Sequence, residues 1–157
     1  MNSSIMKGFS FGLTSGIITT LGLMVGLYSS TSSRLVVIGG IITIAIADAL
    51  SDALGIHISE EAENVHTDKE IWAATIVTFI SKFVFSLTFL IPVLLLPLSV
   101  AMIVGIIWGF STIAIFSYYI AGQQKIKPHI AVTEHLLIAG IVVVVTYYVG
   151  LWVAAFC

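Results

Sequence analysis

Charged residues are scarce in this sequence. Only 9% of its 157 residues are charged and 59% are hydrophobic, whereas a typical soluble domain has about 25% charged residues. The mean hydropathy is +1.13. A large buried core does not explain this deficit, because the remaining polar side chains are too few to cover a water-soluble globule. The sequence therefore predicts an integral membrane protein.

Basic residues and cysteines are equally few. Six Lys and Arg against eight Asp and Glu give a net charge of -2, which excludes a nucleic-acid footprint because phosphate binding needs clustered cations. The single cysteine, Cys157, can form no internal disulfide, and no Cys/His spacing of a structural zinc site occurs. Nucleophile-elbow, phosphate-loop and zinc-protease motifs are also missing. The sequence thus predicts neither an enzyme nor a permanently bound cofactor.

Apolar segments divide the chain into five predicted spans. A spanning helix needs roughly 20 mostly apolar residues, and the first segment has no convincing cleavage site, so it is interpreted as a retained helix. We predict one all-α transmembrane domain over residues 1–157, with helices at about 8–28, 35–57, 71–91, 98–121 and 130–156. The second helix is open to extension through Glu63, and Pro92 and Pro97 are expected to bracket a tight turn.

The positive charges indicate an orientation. With the N-terminus in the cytoplasm only Arg34 lies outside, which agrees with the positive-inside rule. The loop and terminal lysines then lie inside: Lys7, Lys69, Lys125 and Lys127. Five spans place the C-terminus on the outer or lumenal side, and the short chain suggests a prokaryotic plasma membrane.

Glycines recur at intervals of four in the first helix. The sets are Gly8, Gly12 and Gly16, then Gly22 and Gly26. Each set falls on one helix face, where small residues let another backbone approach closely. We predict a tight contact along this helix and a homodimer formed through the helix face of Gly8, Gly12 and Gly16. The alternative is that glycine is simply frequent in membrane helices.

Three ionisable residues fall in the interior of predicted spans, away from the span ends: Asp48, Asp52 and Lys82. Each costs at least about 2.5–3.5 kcal/mol at the bilayer centre, so such residues are functional candidates by default. Asp48 and Asp52 share one helix face, with Ser51 beside them. Two carboxylates one turn apart repel unless a cation or a shared proton lies between them. The pair therefore predicts a cation or proton site; the alternative is a structural ion pair with Lys82, and both can hold.

A second acidic group follows at the end of the second helix. The candidate metal ligands here are His57, Glu60, Glu61 and Glu63, with His66 as a secondary candidate. Glu134 and His135, at the start of the fifth predicted helix, are further secondary candidates. Carboxylate with imidazole suits Fe, Mn or Zn better than Cu(I). Glu63 and His66 have the Glu-x-x-His spacing found in di-iron helix bundles. A solvated acidic loop is the alternative, and it is favoured for residues after His66.

Parts of the first three helices resemble the vacuolar iron transporter family, which includes yeast and plant vacuolar iron importers and nodulin-21-like proteins. The similar stretches are 12–14 (GLT), 17–26 (IITTLGLMVG), 47–63 (ADALSDALGIHISEEAE) and 89–97 (FLIPVLLLP). The resemblance implies five helices, a cytoplasmic N-terminus and a dimer formed partly through the first helix.

Three departures from that family pattern are informative. Phe11 stands where the family usually has Asp, whereas Asp52 and Ala53 follow Ser51 in place of the usual Met and Gly. An acidic ligand is thus lost from one helix and gained on its neighbour. The connection at about residues 59–70 is also too short for the family's glutamate- and methionine-rich insert, so storage of several ions there is not expected.

These observations lead to the hypothesis of a proton-coupled secondary transporter that exports or sequesters Fe²⁺ or Mn²⁺. Its partners are then the divalent ion, protons, membrane lipid and a second copy of the chain. A non-transporting membrane scaffold with a structural Asp–Lys pair is the alternative, and a membrane-embedded enzyme ranks third.

Overall fold

The computed structural model describes residues 3–123 and 127–156, so Lys125 and Cys157 lie outside the described residues. The fold is 93% helical, with no strand in the described ranges. The helices are α1 (Ser3–Thr31), α2 (Arg34–Glu63), α3 (Asp68–Thr88), α4 (Leu90–Leu95), α5 (Leu98–Gln123) and α6 (Pro128–Phe156). Since α3 and α4 together form one span, the described chain has five spans long and apolar enough to cross a membrane. The predicted all-α multi-pass fold is confirmed.

The connection between α1 and α2 is shorter than residues 29–34, the stretch left between the first two predicted helices. Helix α1 continues to Thr31, with Ser29 Oγ donating to the Gly26 carbonyl at 3.0 Å and Thr31 Oγ1 donating to the Leu27 carbonyl at 2.7 Å. The chain reverses at Ser32, where φ is 49°. Ser33 then caps the N-terminus of α2 through its hydroxyl. Only two residues therefore separate the first two spans.

Helix α2 continues to Glu63, as the sequence allowed. It ends at Asn64, which has the left-handed φ of 51° favoured at helix ends. Thr67 and Glu70 form a capping box that starts α3. The polar stretch after the second span is thus mostly helix, and the true connection is residues 64–67.

The predicted turn bracketed by Pro92 and Pro97 is replaced by a short helix. The helix breaks at Phe89, and Pro92 lies in the first turn of α4. Proline is tolerated there because an N–H in the first turn needs no helical partner, whereas inside a continuous helix its ring would clash with the Thr88 carbonyl four residues earlier. Leu96 and Pro97 alone form the turn before α5.

Helix α1 is central and packs against two helices through its glycines. A side-chain carbon at Gly12 would lie 2.5 Å from the Thr78 carbonyl oxygen of α3, and one at Gly16 would lie 2.9 Å from the Lys82 carbonyl oxygen. A side-chain carbon at Gly22 would lie 2.6 Å from Val142 of α6. Both glycine sets therefore allow close helix contacts, as predicted.

The first glycine set contacts α3 of the same chain. Gly8 faces Ala74 and Thr78, and the Thr78 hydroxyl lies 3.2 Å from the Gly8 carbonyl oxygen. The expectation of a homodimer through Gly8, Gly12 and Gly16 therefore needs correction, because α3 already covers this face. A second copy would have to use another surface.

Gly12→Ala tests the close contact between α1 and α3. We expect the free energy of unfolding in mixed micelles to fall by about 1–3 kcal/mol, because the added methyl overlaps backbone atoms of α3. Gly122→Ala is the matched control, since a side-chain carbon there meets nothing within 4 Å. Equal stabilities of the two variants would contradict the packing described.

Candidate cation site

Three helices bring polar and charged side chains together beside the middle of α2. Asp48 and Asp52 come from α2, Lys82 from α3 and Ser15 from α1. We call these four residues the central site. Gly16 next to Ser15 lets the α3 backbone approach α1 at Lys82. The glycine pattern of α1 thus positions Lys82 opposite the two aspartates.

The Lys82 ammonium lies between the two carboxylates. Its Nζ is 2.6 Å from Asp48 Oδ2 and also forms an ion pair with Asp52 Oδ2. Lys82 Nζ donates to Ser15 Oγ at 2.9 Å, and the Ser15 hydroxyl donates to Asp52 Oδ2 at 2.7 Å. Three oxygen atoms therefore surround the ammonium.

Burial makes the charge balance of the central site important. The side chain of Lys82 is 1% exposed, against 29% for Asp48 and 19% for Asp52. With all three groups ionised, two carboxylates and one ammonium leave a formal charge of -1. Uncompensated charge inside a membrane is costly. The central site therefore favours a further cation or a proton.

An open cavity of about 750 Å³ lies beside Asp48, between α1 and α2. Its polar lining comes from Asp48 together with the hydroxyls of Ser51, Thr19 and Thr43, and the rest of the wall is mostly apolar. Ser51 thus adjoins Asp48 in this cavity, as the sequence suggested. Asp48 is paired with lysine on one side and has room for a ligand on the other.

A second group of ligands lies at the end of α2. Glu60, Glu63 and His66 offer one ligand atom each within 4.8 Å of one another, and we call them the mouth cluster. His66 Nε2 lies 3.4 Å from Glu60 Oε2. Lys7 of α1 forms ion pairs with both glutamates. Carboxylate and imidazole at this separation can ligate a divalent metal ion.

The other predicted ligands near the end of α2 lie apart from the mouth cluster. His57 Nε2 is 3.5 Å from Glu61 Oε1, and His57 Nδ1 lies 2.9 Å from the Thr75 hydroxyl. The His57 ring also packs edge-on against Trp72, with the centroids 4.7 Å apart. His57 and Glu61 therefore form a separate pair, directed towards α3.

Glu134 and His135 are placed away from both acidic groups. His135 Nδ1 lies 2.7 Å from the Ser117 hydroxyl of α5. The His135 side chain lines a cavity of about 570 Å³ that it shares with Ser10 and Lys7. Glu134 is exposed. The cavity adjoins Lys7 but includes no ligand of the mouth cluster.

Two α1 residues were missed in the sequence. Ser15 was not predicted as a site residue, and Lys7 was predicted only to lie on the cytoplasmic side. Both face carboxylates of α2 because α1 lies against α2 along its length. The available signal was charge balance: each acidic pair of α2 needs a cation, and Lys7 and Lys82 are lysines of the neighbouring helices.

Comparison with known proteins gives one match and one negative result. A family model described as the VIT family matches residues 6–71. No curated protein matches this chain. The matched stretch contains most of α1, all of α2 and the start of α3, and so includes both aspartates and the mouth cluster but not Lys82. The resemblance predicted from the sequence is thus confirmed over this stretch: the chain is similar to the VIT family of vacuolar iron transporters, which are membrane transporters of metal ions and not enzymes.

Proposed function

We propose that this protein is a proton-coupled secondary transporter of Fe²⁺ or Mn²⁺, with Asp48 and Asp52 binding the ion or the exchanged proton. The observation that supports this most is the pair of carboxylates kept inside the helix bundle beside an open cavity, where together with the Lys82 ammonium they leave a formal charge of -1 when all three groups are ionised. A membrane protein retains such charge at a high free-energy cost, which a visiting cation offsets.

The central site offers oxygen ligands suited to these ions. Two carboxylates and the Ser15 hydroxyl already converge on one ammonium, and Ser51 adjoins Asp48 in the cavity. Hard oxygen donors suit Mn²⁺ and Fe²⁺ better than Cu(I). A divalent ion between the aspartates would repel the Lys82 ammonium, so ion binding involves displacement of Lys82 from at least one carboxylate.

The direction of transport follows from the predicted orientation. With the lysine-rich end in the cytoplasm, the mouth cluster faces the cytoplasm and gathers metal there, aided by Glu61 and His57. The ion then moves to the central site and leaves on the far side, which amounts to export or sequestration. The sequence offers no nucleotide-binding motif, so a proton gradient is the proposed energy source.

A second copy of the chain is proposed to dock on α2. Small residues four apart form an exposed stripe along this helix: Gly39, Thr43, Ala47, Ser51, Gly55 and Ser59. Side-chain carbons built at Gly39 and Gly55 meet nothing within 4 Å. Small residues at this spacing favour close association of membrane helices. The stripe includes lining residues of the cavity beside Asp48, so a partner would cover the central site.

Asp48→Asn and Asp52→Asn test the proposed ion site. We expect each single substitution to reduce proton-gradient-driven Mn²⁺ uptake into proteoliposomes at least about tenfold, and the double variant to abolish it, because the amide supplies a neutral and weaker ligand. Asp68→Asn is the control, since it removes one exposed carboxylate at the start of α3. Undiminished uptake by the double variant would rule out this mechanism.

A structural role for the ion pairs is the second candidate function, favoured by the contact of Lys82 with both aspartates. In that case the protein is a membrane scaffold or subunit. Lys82→Met should lower the free energy of unfolding by about 3 kcal/mol under either function, because it leaves two partly buried carboxylates without their cation.

The charge exchange Lys82→Asp with Asp52→Lys, measured beside the unaltered protein, separates the two functions. For a transporter we expect stability to recover by more than half of the Lys82→Met loss while Mn²⁺ uptake stays abolished, since the ligand has moved to another helix. Unfolding in micelles and vesicle uptake are measured on the same preparations. Recovered stability with no uptake by the unaltered protein would favour the scaffold instead.

Ala47→Trp tests the proposed dimer surface. We expect the unaltered protein to be a dimer in detergent and Ala47→Trp to be a monomer, because the indole would hold the two α2 helices apart. Val144→Trp, on the exposed face of α6, should stay dimeric. Molecular mass from light scattering gives the answer, and a dimer that persists in Ala47→Trp would exclude the α2 stripe.

A further inference from the structure

Lys7 bridges two carboxylates of the mouth cluster. Its Nζ lies 2.7 Å from Glu60 Oε1 and also forms an ion pair with Glu63 Oε1. These glutamates lie one turn apart on α2, whereas Lys7 comes from the second turn of α1. The ammonium thus joins the cytoplasmic ends of the two helices.

The ammonium contacts the same carboxylates that a metal ion would use. Glu60 and Glu63, with His66, offer ligand atoms within 4.8 Å of one another. Two positive charges a few ångströms apart repel strongly where water is partly excluded. Lys7 and a divalent ion therefore cannot be bound to this pair of glutamates together.

The burial of the three groups shows which of them can move. The Glu60 side chain is 0% exposed, whereas Lys7 is 39% and Glu63 45% exposed. A fully buried carboxylate that loses its cation is strongly destabilised, while Lys7 can extend into water at little cost. The departure of Lys7 is therefore favourable only when another cation reaches Glu60.

We infer that Lys7 is an internal competitor for the mouth cluster, which a divalent cation must displace. This rests on the proposed function, in which the mouth cluster gathers metal. Lys7 then sets the concentration of free divalent cation at which the mouth cluster becomes occupied. It also makes the cluster selective for cations that bind two carboxylates and an imidazole more strongly than an ammonium does. Filling the cluster also releases the N-terminal turns of α1 from α2.

Mn²⁺ binding to purified protein tests this role in variants that already carry Asp48→Asn and Asp52→Asn. Bound Mn²⁺ is measured by the loss of the electron paramagnetic resonance signal of the free ion. We expect Lys7→Gln to tighten binding about fivefold, the upper end of what removal of a partly exposed competing charge pair gives. Lys69→Gln, which removes an exposed lysine at the same end of the bundle, should change affinity less than about threefold. Glu60→Gln should abolish binding.

A second test uses the unaltered protein, so it does not depend on whether a variant folds. Acylation of Lys7 by an amine reagent, followed by mass spectrometry, should speed up severalfold when Mn²⁺ is added, while acylation of Lys69 stays constant. The inference would be overturned if the Lys7 variant bound Mn²⁺ no more tightly than the Lys69 variant. It would also be overturned if the rate of Lys7 acylation did not change when Mn²⁺ was added. Neither measurement uses flux, so their failure is distinguishable from failure of the transport proposal.

Discussion

The pairing of Lys82 with two aspartates is the interaction on which the arrangement of α1, α2 and α3 depends. None of these charges is stable in an apolar bundle alone, so α2 and α3 must lie with Lys82 opposite Asp48 and Asp52. The register is reinforced by Ser15, which hydrogen-bonds both Lys82 and Asp52. Gly16 allows the required approach of α1 to α3. Sequence, packing and charge are thus mutually consistent at this point.

Helix α2 carries two acidic pairs, each matched by a lysine from a neighbouring helix. Lys7 is partly exposed and pairs with the glutamates near the helix end, whereas Lys82 is buried and pairs with the aspartates near its middle. The two ion pairs differ in how readily the lysine ammonium can become solvated by water when the pair opens. The outer ion pair can open by extending a side chain, while the inner one must exchange partners within the bundle.

Much of the fold was predictable because apolar length and helix breakers are local signals. The five spans, the extension of α2 to Glu63 and the close glycine contacts follow from such signals. The α3–α4 break was displaced, because Pro92 is acceptable in the first turn of a new helix and does not force a turn. The predicted partner of Gly8, Gly12 and Gly16, a second copy of the chain, was wrong because α3 occupies this face. Small residues indicate a close neighbour but do not identify it.

The candidate site was predictable only where its residues share one helix. Asp48 with Asp52, and Glu60 with Glu63, are recognisable from spacing alone. The position of His57 against Trp72 and Thr75, and of His135 against Ser117, depends on how separate helices pack. Lys7 and Ser15 belong to the same class, because a lysine or serine on another helix has no spacing signal that links it to an acid on α2.

Under the proposed function, the glycine contact between α1 and α3 limits how an ion could be exchanged at the aspartates. Sliding α3 to carry its ammonium elsewhere would force backbone atoms past one another at Gly12 and Gly16, and would break hydroxyl contacts to the carbonyls of Gly8 and Gly16. Rotation about the four methylene groups of the Lys82 side chain requires far less free energy than sliding the two packed helices. Ion exchange at the aspartates is therefore expected to be a rotamer change of one side chain within a rigid pair of helices.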